Sequence, residues 1–459
     1  MTVISTAQSE KLHRLVKQAI DSGEARSIEE GVALFRGLRL HITIDDDDAD
    51  SAAHQAALMT CITIARRVFL GGVTVSGALN RELRVAMPYG SALSDAVIAL
   101  GAKPGRGGPK VPIISIGGRV TSRRSTFHVR TVFTGWRGGV VPAEAVIGTA
   151  ERDAMPLAPM LAAALAVNQA FLFARGERAV AGFESVGLSL WDLAATKAWL
   201  QADDAPDLSI LPSKLWLIGL GHLGQAYLWA LGLLPYANPG ELELTLQDTD
   251  VITESTDSTS VLTQAAMIAD KKTRAMAAWS ENRGFKTTIT ERQFTASQIR
   301  QESEPPIALC GIDNALGRRA LDKVGFRFVV EAGLGSGYDD FRTIRLHSLP
   351  GSRSAEAIWR GRSKSKDLTD RDAYQKLLNN GDLDQCGVTM LAGRAVGAPF
   401  VGCVAACIVV SEVLRLLHGG IVSQLVDLDL TSIAHRSVVP RADNLGSFNP
   451  GFVMVNKAA

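Results

Sequence analysis

Cysteine is scarce in this chain: five residues in 459, Cys61, Cys310, Cys386, Cys403 and Cys407, with no CxxC pair among them. Five thiols cannot all pair, and without CxxC spacing there is no framework for disulfides or for a cysteine-rich zinc site. Charge of one sign is equally lacking. Lys+Arg 48 against Asp+Glu 47 leaves a net +1, so no global field is available to hold a polyanion, and nucleic acid is not an expected partner. No uninterrupted apolar run of about 18 residues stands out, which argues against a membrane partner. The opening MTVISTAQSEKLHRLVKQ has no charged region followed by an apolar one, so a cytoplasmic, reducing setting is the expectation. What is present is globular: 46% hydrophobic and 21% charged residues, in a chain long enough for two or three domains.

A helical opening is read over about Ser9 to Leu34. LRLHITIDDDDAD then alternates like a strand and ends in the acidic run Asp45 to Asp48. That run reads as a solvated turn, because no Glu or Gly follows at calcium-loop spacing. RRVFLGGVTVSGALNREL reads as strand, glycine turn and helix, and VPIISIGG and STFHVRTVFTGW as further strands. Gln201 to Ser213 is rich in Asp and Pro, has no periodicity, and marks a boundary between a first unit (1–205) and a second (206–459). In the second, KLWLIGLG, ELELTLQDTD, KTTITERQF and PIALCGIDN read as strands alternating with helices, which predicts an α/β fold with a doubly wound, mostly parallel sheet. An internal echo links the units. MPLAPMLAAALAVNQAF and APFVGCVAACIVVSEVL superpose with Pro156 on Pro399, Ala162 and Ala163 on Ala405 and Ala406, and Val167 on Val410.

The chemistry gathers in the second unit. Gly219, Gly221 and Gly224 form GLGHLG between a strand and a helix, and Asp248 ends the next strand. Glycines there permit a tight turn and close backbone approach, helix N-terminal amides hold phosphate, and the carboxylate suits a ribose. The same geometry serves NAD, FAD or ATP. Asp250, Lys271, Lys272 and Arg274 favour ATP, since clustered cations meet a triphosphate better than a pyrophosphate bridge. Asp313, at the end of strand PIALCGIDN, is placed to hold magnesium against the leaving pyrophosphate, with Arg318 one helical turn on.

In order and spacing these residues resemble the ThiF/MoeB and ubiquitin-activating-enzyme superfamily, over Ser213 to about Gly420. The resemblance implies adenylation of the C-terminal carboxylate of a ubiquitin-like or sulfur-carrier protein, with ATP and Mg2+ as cofactors. It implies that Asp248 binds ribose, Lys272 the phosphates and Asp313 the metal, and that Arg318 supports the Asp313 loop. One departure matters: where the family shows an Asn and an Arg after the D-x-D turn, this chain has Thr256 and Thr259. Lys271, Arg274 or an arginine from the first unit is then needed, and Arg66, Arg67 and Arg81 are candidates.

Cys386 lies in GDLDQCGVTMLAGRAVG, a polar, glycine-bearing stretch that reads as a loop ahead of the last apolar helix, within a crossover of about 350–397. A thiolate near a helix N-terminus is reachable and activated. Cys403 and Cys407, four apart in an apolar helix, read as packing, and Cys61 and Cys310 sit in apolar runs. The string LDQC-x-VT resembles the catalytic-cysteine segment of the autophagy activating enzyme, which implies a thioester on Cys386 and transfer to a ubiquitin-conjugating-type enzyme. Gly71 to Gly77 occupies the place of a phosphate loop in the first unit but lacks the spacing, so that unit resembles an inactive adenylation domain. Trp136 either anchors a partner or fills a core. A homodimer is compatible with the sequence. Three alternatives stay open: a sulfur-carrier adenylyltransferase without a thioester, an NAD-dependent oxidoreductase, and a scaffold that has lost catalysis.

Overall fold

A computed structural model describes residues 10–118, 125–147, 154–195, 199–201, 204–361, 367–442, 445 and 448–455. The first half supplies strands β1 (Leu40–Ile44), β2 (Val73–Gly77), β3 (Lys103–Pro104), β4 (Ile113–Ile116), β5 (His128–Thr134), β6 (Arg137–Pro142) and β7 (Val186–Ser189). They form one sheet in the order β3-β2-β1-β4-β5-β6-β7, parallel from β3 to β5 and antiparallel from β5 to β7. The second half supplies β8 (Ile210–Pro212), β9 (Lys214–Ile218), β10 (Glu243–Gln247), β11 (Lys286–Thr290), β12 (Ile307–Cys310), β13 (Phe328–Leu334), β14 (Thr343–Leu349), β15 (Ser423–Asp429), β16 (Ser437–Pro440) and β17 (Phe452–Met454). Its eight-stranded sheet runs β11-β10-β9-β12-β13-β14-β15-β16, again parallel through β13 and antiparallel beyond. β17 pairs with β8 as a separate ribbon. The two sheets are one topology used twice, as the helix echo implied: β1 answers to β9, β2 to β10 and β4 to β12.

Six helices frame the site and join the halves: α1 (Ala52–Ala65), α2 (Leu157–Ala174), α3 (His222–Leu233), α4 (Lys272–Asn282), α5 (Gln385–Ala392) and α6 (Pro399–Leu417). α2 packs on α1 and on α6, and α6 packs on α3. One contiguous apolar core therefore runs through both halves. Contrary to the expectation from the sequence, α2 and α6 are each long and apolar enough to cross a membrane, yet 89% of each apolar window is buried inside the fold. Small residues at Ala162, Ala163, Ala405 and Ala406, all fully buried, let these helices approach closely.

Several local expectations are corrected. The opening is not one helix but two, Val16–Asp21 and Ile28–Arg36, interrupted at Gly23 with φ +82°. No helix follows β2 directly. The helix of that region is α1, upstream, apolar on every side and almost wholly buried, so it carries no amphipathic stripe by which to recognise it. Gly71 and Gly72 precede β2 and Gly77 ends it, so none occupies a phosphate loop. The segment that answers to GLGHLG is the acidic run between β1 and α1. Trp136 is core, 1% exposed, with its Nε1 donating to the Pro206 carbonyl at 2.7 Å.

The halves are also locked by charge. Arg66 Nη2 and Arg67 Nη2 donate to Asp257 Oδ1 at 2.7 and 3.1 Å, and both reach the Thr263 carbonyl at 2.8 and 2.7 Å. Burial, together with the neighbouring Arg66 charge, pushes the Arg67 guanidinium down to about 9 against the opposing pull of Asp257. Both arginines are thus engaged in joining the halves, and Arg81 faces Asp50 within the first half at 3.5 Å. Asp257→Ala would leave Arg67 buried without a counter-ion. We expect a loss of about 3 kcal/mol, the low end for breaking a buried pair because Asp257 remains partly exposed, measured as a lower denaturant midpoint.

Candidate active site

The site is built at the C-terminal edge of β9, β10 and β12. After β9 the chain turns through Gly219, whose φ of +86° favours glycine, and whose amide donates to the Gln247 carbonyl at 2.9 Å. α3 starts directly, and no side chain caps its first turn, so its N–H groups stay available to an anion. A Cβ on Gly224 would lie 2.0 Å from the Gly219 carbonyl oxygen, whereas a Cβ on Gly221 would meet only Lys272 Nζ, at 4.0 Å. Gly224 is therefore needed for the turn to close, and Gly221 presents bare backbone to the space under Lys272.

Asp248 is drawn into the turn itself. Its Oδ2 accepts from Leu220 N at 2.7 Å and its Oδ1 from Asp250 N at 2.8 Å. Lys272, in the first turn of α4, places Nζ 2.9 Å from Asp250 Oδ2 and 4.0 Å from Asp248 Oδ2. Burial works to raise the Asp250 carboxyl, but the Lys272 hydrogen bond and charge outweigh it and hold the group below its ordinary range. The Lys271 Nζ is turned aside to the Thr249 carbonyl at 2.6 Å. Arg274 is paired with Glu291 at 2.9 Å and is 70% exposed. Of the three cations read from the sequence, Lys272 alone faces the glycine turn.

Asp313 is exposed just beyond β12. Behind it, Arg318 Nε donates to the Ile312 carbonyl at 2.9 Å and lies 2.8 Å from Glu331 Oε1. Glu331 is 1% exposed and also faces His347 Nδ1 at 3.4 Å. A buried carboxylate thus fixes the arginine that holds the loop ahead of Asp313, and Glu331 gave no signal in the sequence. Among the described residues no three His, Cys, Asp or Glu side chains cluster as a metal cage. A magnesium ion carried by a nucleotide needs only one or two carboxylates besides phosphate and water oxygens, and Asp313 offers a hard, accessible oxygen donor where such an ion would sit.

Another residue missed from the sequence is Arg14. The segment Glu10 to Lys17 lies along the second half: Ser255 N donates to the Glu10 carbonyl at 2.7 Å, Arg14 N to Ser258 Oγ at 3.1 Å, and Gly397 N to the Arg14 carbonyl at 3.4 Å. A Cβ on Gly397 would touch Thr259 Cγ2, Arg14 Cβ and His222 Nδ1, at 3.0, 3.8 and 3.8 Å. Arg14 therefore stands beside Thr259, where the family pattern has its arginine, and beside the first residue of α3. The guanidinium feels the Asp313 charge. Burial first, then the like charge of Arg394, lowers it to about 10.

Cys386 is exposed, and it lies in the first turn of a helix of its own, α5, rather than in a loop. Asp384 caps that helix by accepting from Gly387 N at 2.8 Å. At its other end the Ala392 carbonyl accepts from the buried Lys17 Nζ at 3.0 Å; Lys17 pairs with Asp21, which in turn accepts from Tyr374 Oη at 2.6 Å. The other four thiols are buried. Burial raises Cys310 and Cys403 to about 12 and Cys61 and Cys407 further, so Cys386 alone is placed to react.

The equivalent edge of the first half is built against anions. Asp45, Asp46 and Asp47 are exposed after β1, and Asp48 Oδ2 accepts from Gly118 N at 2.8 Å while Oδ1 meets His54 Nε2 at 3.2 Å. The start of α1, which answers to the start of α3, is capped by Ser51, whose Oγ accepts from His54 N at 3.4 Å, and the exposed aspartates beside it repel an anion.

An acidic turn in one half and an open glycine turn in the other, fused in a single chain, give a paired α/β fold with one candidate anion-binding turn among the described residues. Sequence models of the BilD C-terminal domain and the BilD N-terminal domain match residues 211–420 and 39–190. The bacterial E1-like protein BilD of Collimonas sp. (strain OK412) is 44% identical over 413 residues, which is 89% of this chain and 89% of that one. The chain belongs to the BilD family of bacterial E1-like proteins. Among solved structures, E. coli MccB is similar at a TM-score of 0.35 with 12% identity, over 50% of this chain and 63% of its own, and PaaA at 0.34 with 14% identity, over 50% and 64%. The chain thus spans somewhat under two thirds of the length of these solved relatives.

Gly224→Ala is expected to force the turn open and abolish ATP-induced thermal stabilisation, whereas Arg274→Ala leaves it unchanged; differential scanning fluorimetry separates the two. The burial of His222 adds a pH effect. Its Nε2 is enclosed against Gly402, and burial lowers the imidazole to about 4. An unfolded histidine titrates near ~6.5, so between those values only the unfolded chain takes up the proton, and stability falls as pH drops through that window. Burial lowers His13 to about 4 in the same way, so His222→Gln should reduce, and not remove, the fall in melting temperature between about pH 6.5 and 4.

Proposed function

We propose that this protein activates the C-terminus of a ubiquitin-like protein with ATP. The observation that carries the reading is the convergence of the uncapped α3 turn, Lys272, Asp313 and Arg14 at one strand edge, in a chain of the E1-like family. ATP would lie with its phosphates over Gly221 and the first turn of α3. Lys272 would hold them from one side and Arg14, from the first half, from the other, so that Arg14 supplies the guanidinium absent at Thr259. Asp248, already fixed by Leu220 N, would orient the ribose. Asp313 would hold the Mg2+ that offsets phosphate charge, and Arg318 with Glu331 keeps that loop in place.

In the first step a carboxylate oxygen of the carrier attacks the α-phosphorus; the bond to the β-phosphate oxygen breaks and pyrophosphate leaves, giving an acyl-adenylate. In the second, the Cys386 thiolate attacks the acyl carbon and AMP departs with the former carboxylate oxygen, leaving a thioester. Attack by the thiol of a conjugating-type enzyme then moves the acyl group on and restores Cys386. A passive scaffold would have no use for a lone accessible thiol beside four buried ones.

Wild-type protein should be stabilised by ATP and not by NAD; a ligand at 100 times its Kd adds about 2.7 kcal/mol. With Mg2+ and the cognate carrier it should exchange labelled pyrophosphate into ATP, and Asp313→Ala should abolish that exchange. Cys386→Ala should keep the exchange and lose the thiol-sensitive conjugate on a non-reducing gel. Stabilisation by NAD alone would overturn the reading, and a conjugate surviving Cys386→Ala would overturn its second step.

A further inference from the structure

The segment 392–397, between the cysteine helix and α6, is held against residues 14–17 at several points. Lys17 Nζ donates to the Ala392 carbonyl at 3.0 Å, Arg14 Nη1 reaches the Ala395 carbonyl at 3.4 Å, and Gly397 N donates to the Arg14 carbonyl at 3.4 Å. Arg394 lies within this run, half-buried, its amide donating to the Leu391 carbonyl at 3.2 Å. Among the described residues neither Arg14 nor Arg394 forms an ion pair. Elsewhere this protein answers several such guanidiniums with carboxylates, Arg66 and Arg67 with Asp257, Arg318 with Glu331, Arg342 with Glu177 and Arg415 with Glu412, while Arg283 is met by the Gly232 and Leu234 carbonyls and has no second arginine set against it. The like charge of Arg394 adds to burial in weakening Arg14, and Asp313 opposes them from a distance. Two half-buried arginines on segments tied together by these hydrogen bonds, neither with a contacting carboxylate, are disfavoured until an anion joins them.

We propose that Arg394, on the cysteine-bearing segment, is a second phosphate-binding arginine that clamps the β- and γ-phosphates of ATP together with Arg14. The proposal rests on the adenylation reading and extends it. Planar guanidiniums suit this task, because each offers paired donors to phosphate oxygens and neither can lose its charge at neutral pH. The consequence is a physical tie between the two steps: while the triphosphate is whole, the run that follows Cys386 is fastened at the nucleotide, and departure of pyrophosphate removes the anion that fastens it.

The test compares wild type with Arg394→Gln and Arg394→Lys in thermal melts with ATP and with AMP, without carrier, and in pyrophosphate exchange with it. Arg394→Gln should melt like wild type without ligand, lose most of the ATP-induced shift, keep the AMP-induced shift, and raise the ATP concentration for half-maximal exchange about tenfold, the size of one charge-assisted hydrogen bond. Arg394→Lys should fall between the two. An unchanged ATP response would overturn the proposal, as would equal losses with ATP and AMP, or a rise confined to the carrier concentration, which would assign Arg394 to the carrier's carboxylate. If Arg394→Gln does not fold, Arg394→Lys decides on the same ATP-to-AMP comparison. A wild type unresponsive to ATP would overturn the adenylation reading itself, and this proposal with it.

Discussion

The contact on which the rest depends is the apolar seam between α2 and α6, locked at one side by Arg66 and Arg67 on Asp257. It joins two copies of one topology into a single core, and it brings Glu10 to Lys17 of the first half onto the second. Without that seam Arg14 would have no fixed place beside Thr259. The first half thus places Arg14 beside the candidate site of the second.

The asymmetry between the two edges comes from a few side chains. Gly219, Gly221 and Gly224 leave bare backbone and free amides at the start of α3, with a lysine above them. At the equivalent place the first half has four aspartates, and the first turn of α1 is already capped by Ser51. The same strand order therefore carries an open glycine turn once and a capped, acidic turn once. Asp257 shows a third use of an acid: it sits in the segment after the D-x-D turn, where it fastens the halves rather than binding ligand.

The sequence made the second half legible because its signals are local. GLGHLG, Asp248 and Asp313 each lie at a strand end that periodicity finds, and the echo of α2 in α6 exposed the repeat. What stayed hidden is non-local or lacks a period. α1 is apolar on every side, so no stripe announces a helix, and the glycines near Gly71 drew the phosphate-loop reading away from Asp45 to Asp48. Arg14 and Glu331 become site residues only through contacts made in three dimensions, Arg14 with residues more than two hundred positions away. Cys386 was legible as the accessible thiol, but its short helix was not, since glycine and polar residues on both sides imitate a loop.

The most direct measurement is photolabelling with an azido-ATP, with peptide mapping and counting of nucleotide per chain. A single label per chain, borne by peptides of the β9 to α4 region and competed by ATP, is the predicted result. Labelling along β1, α1 and the Asp45 to Asp48 turn, or two labels per chain, would contradict an account in which one half binds and the other only completes it.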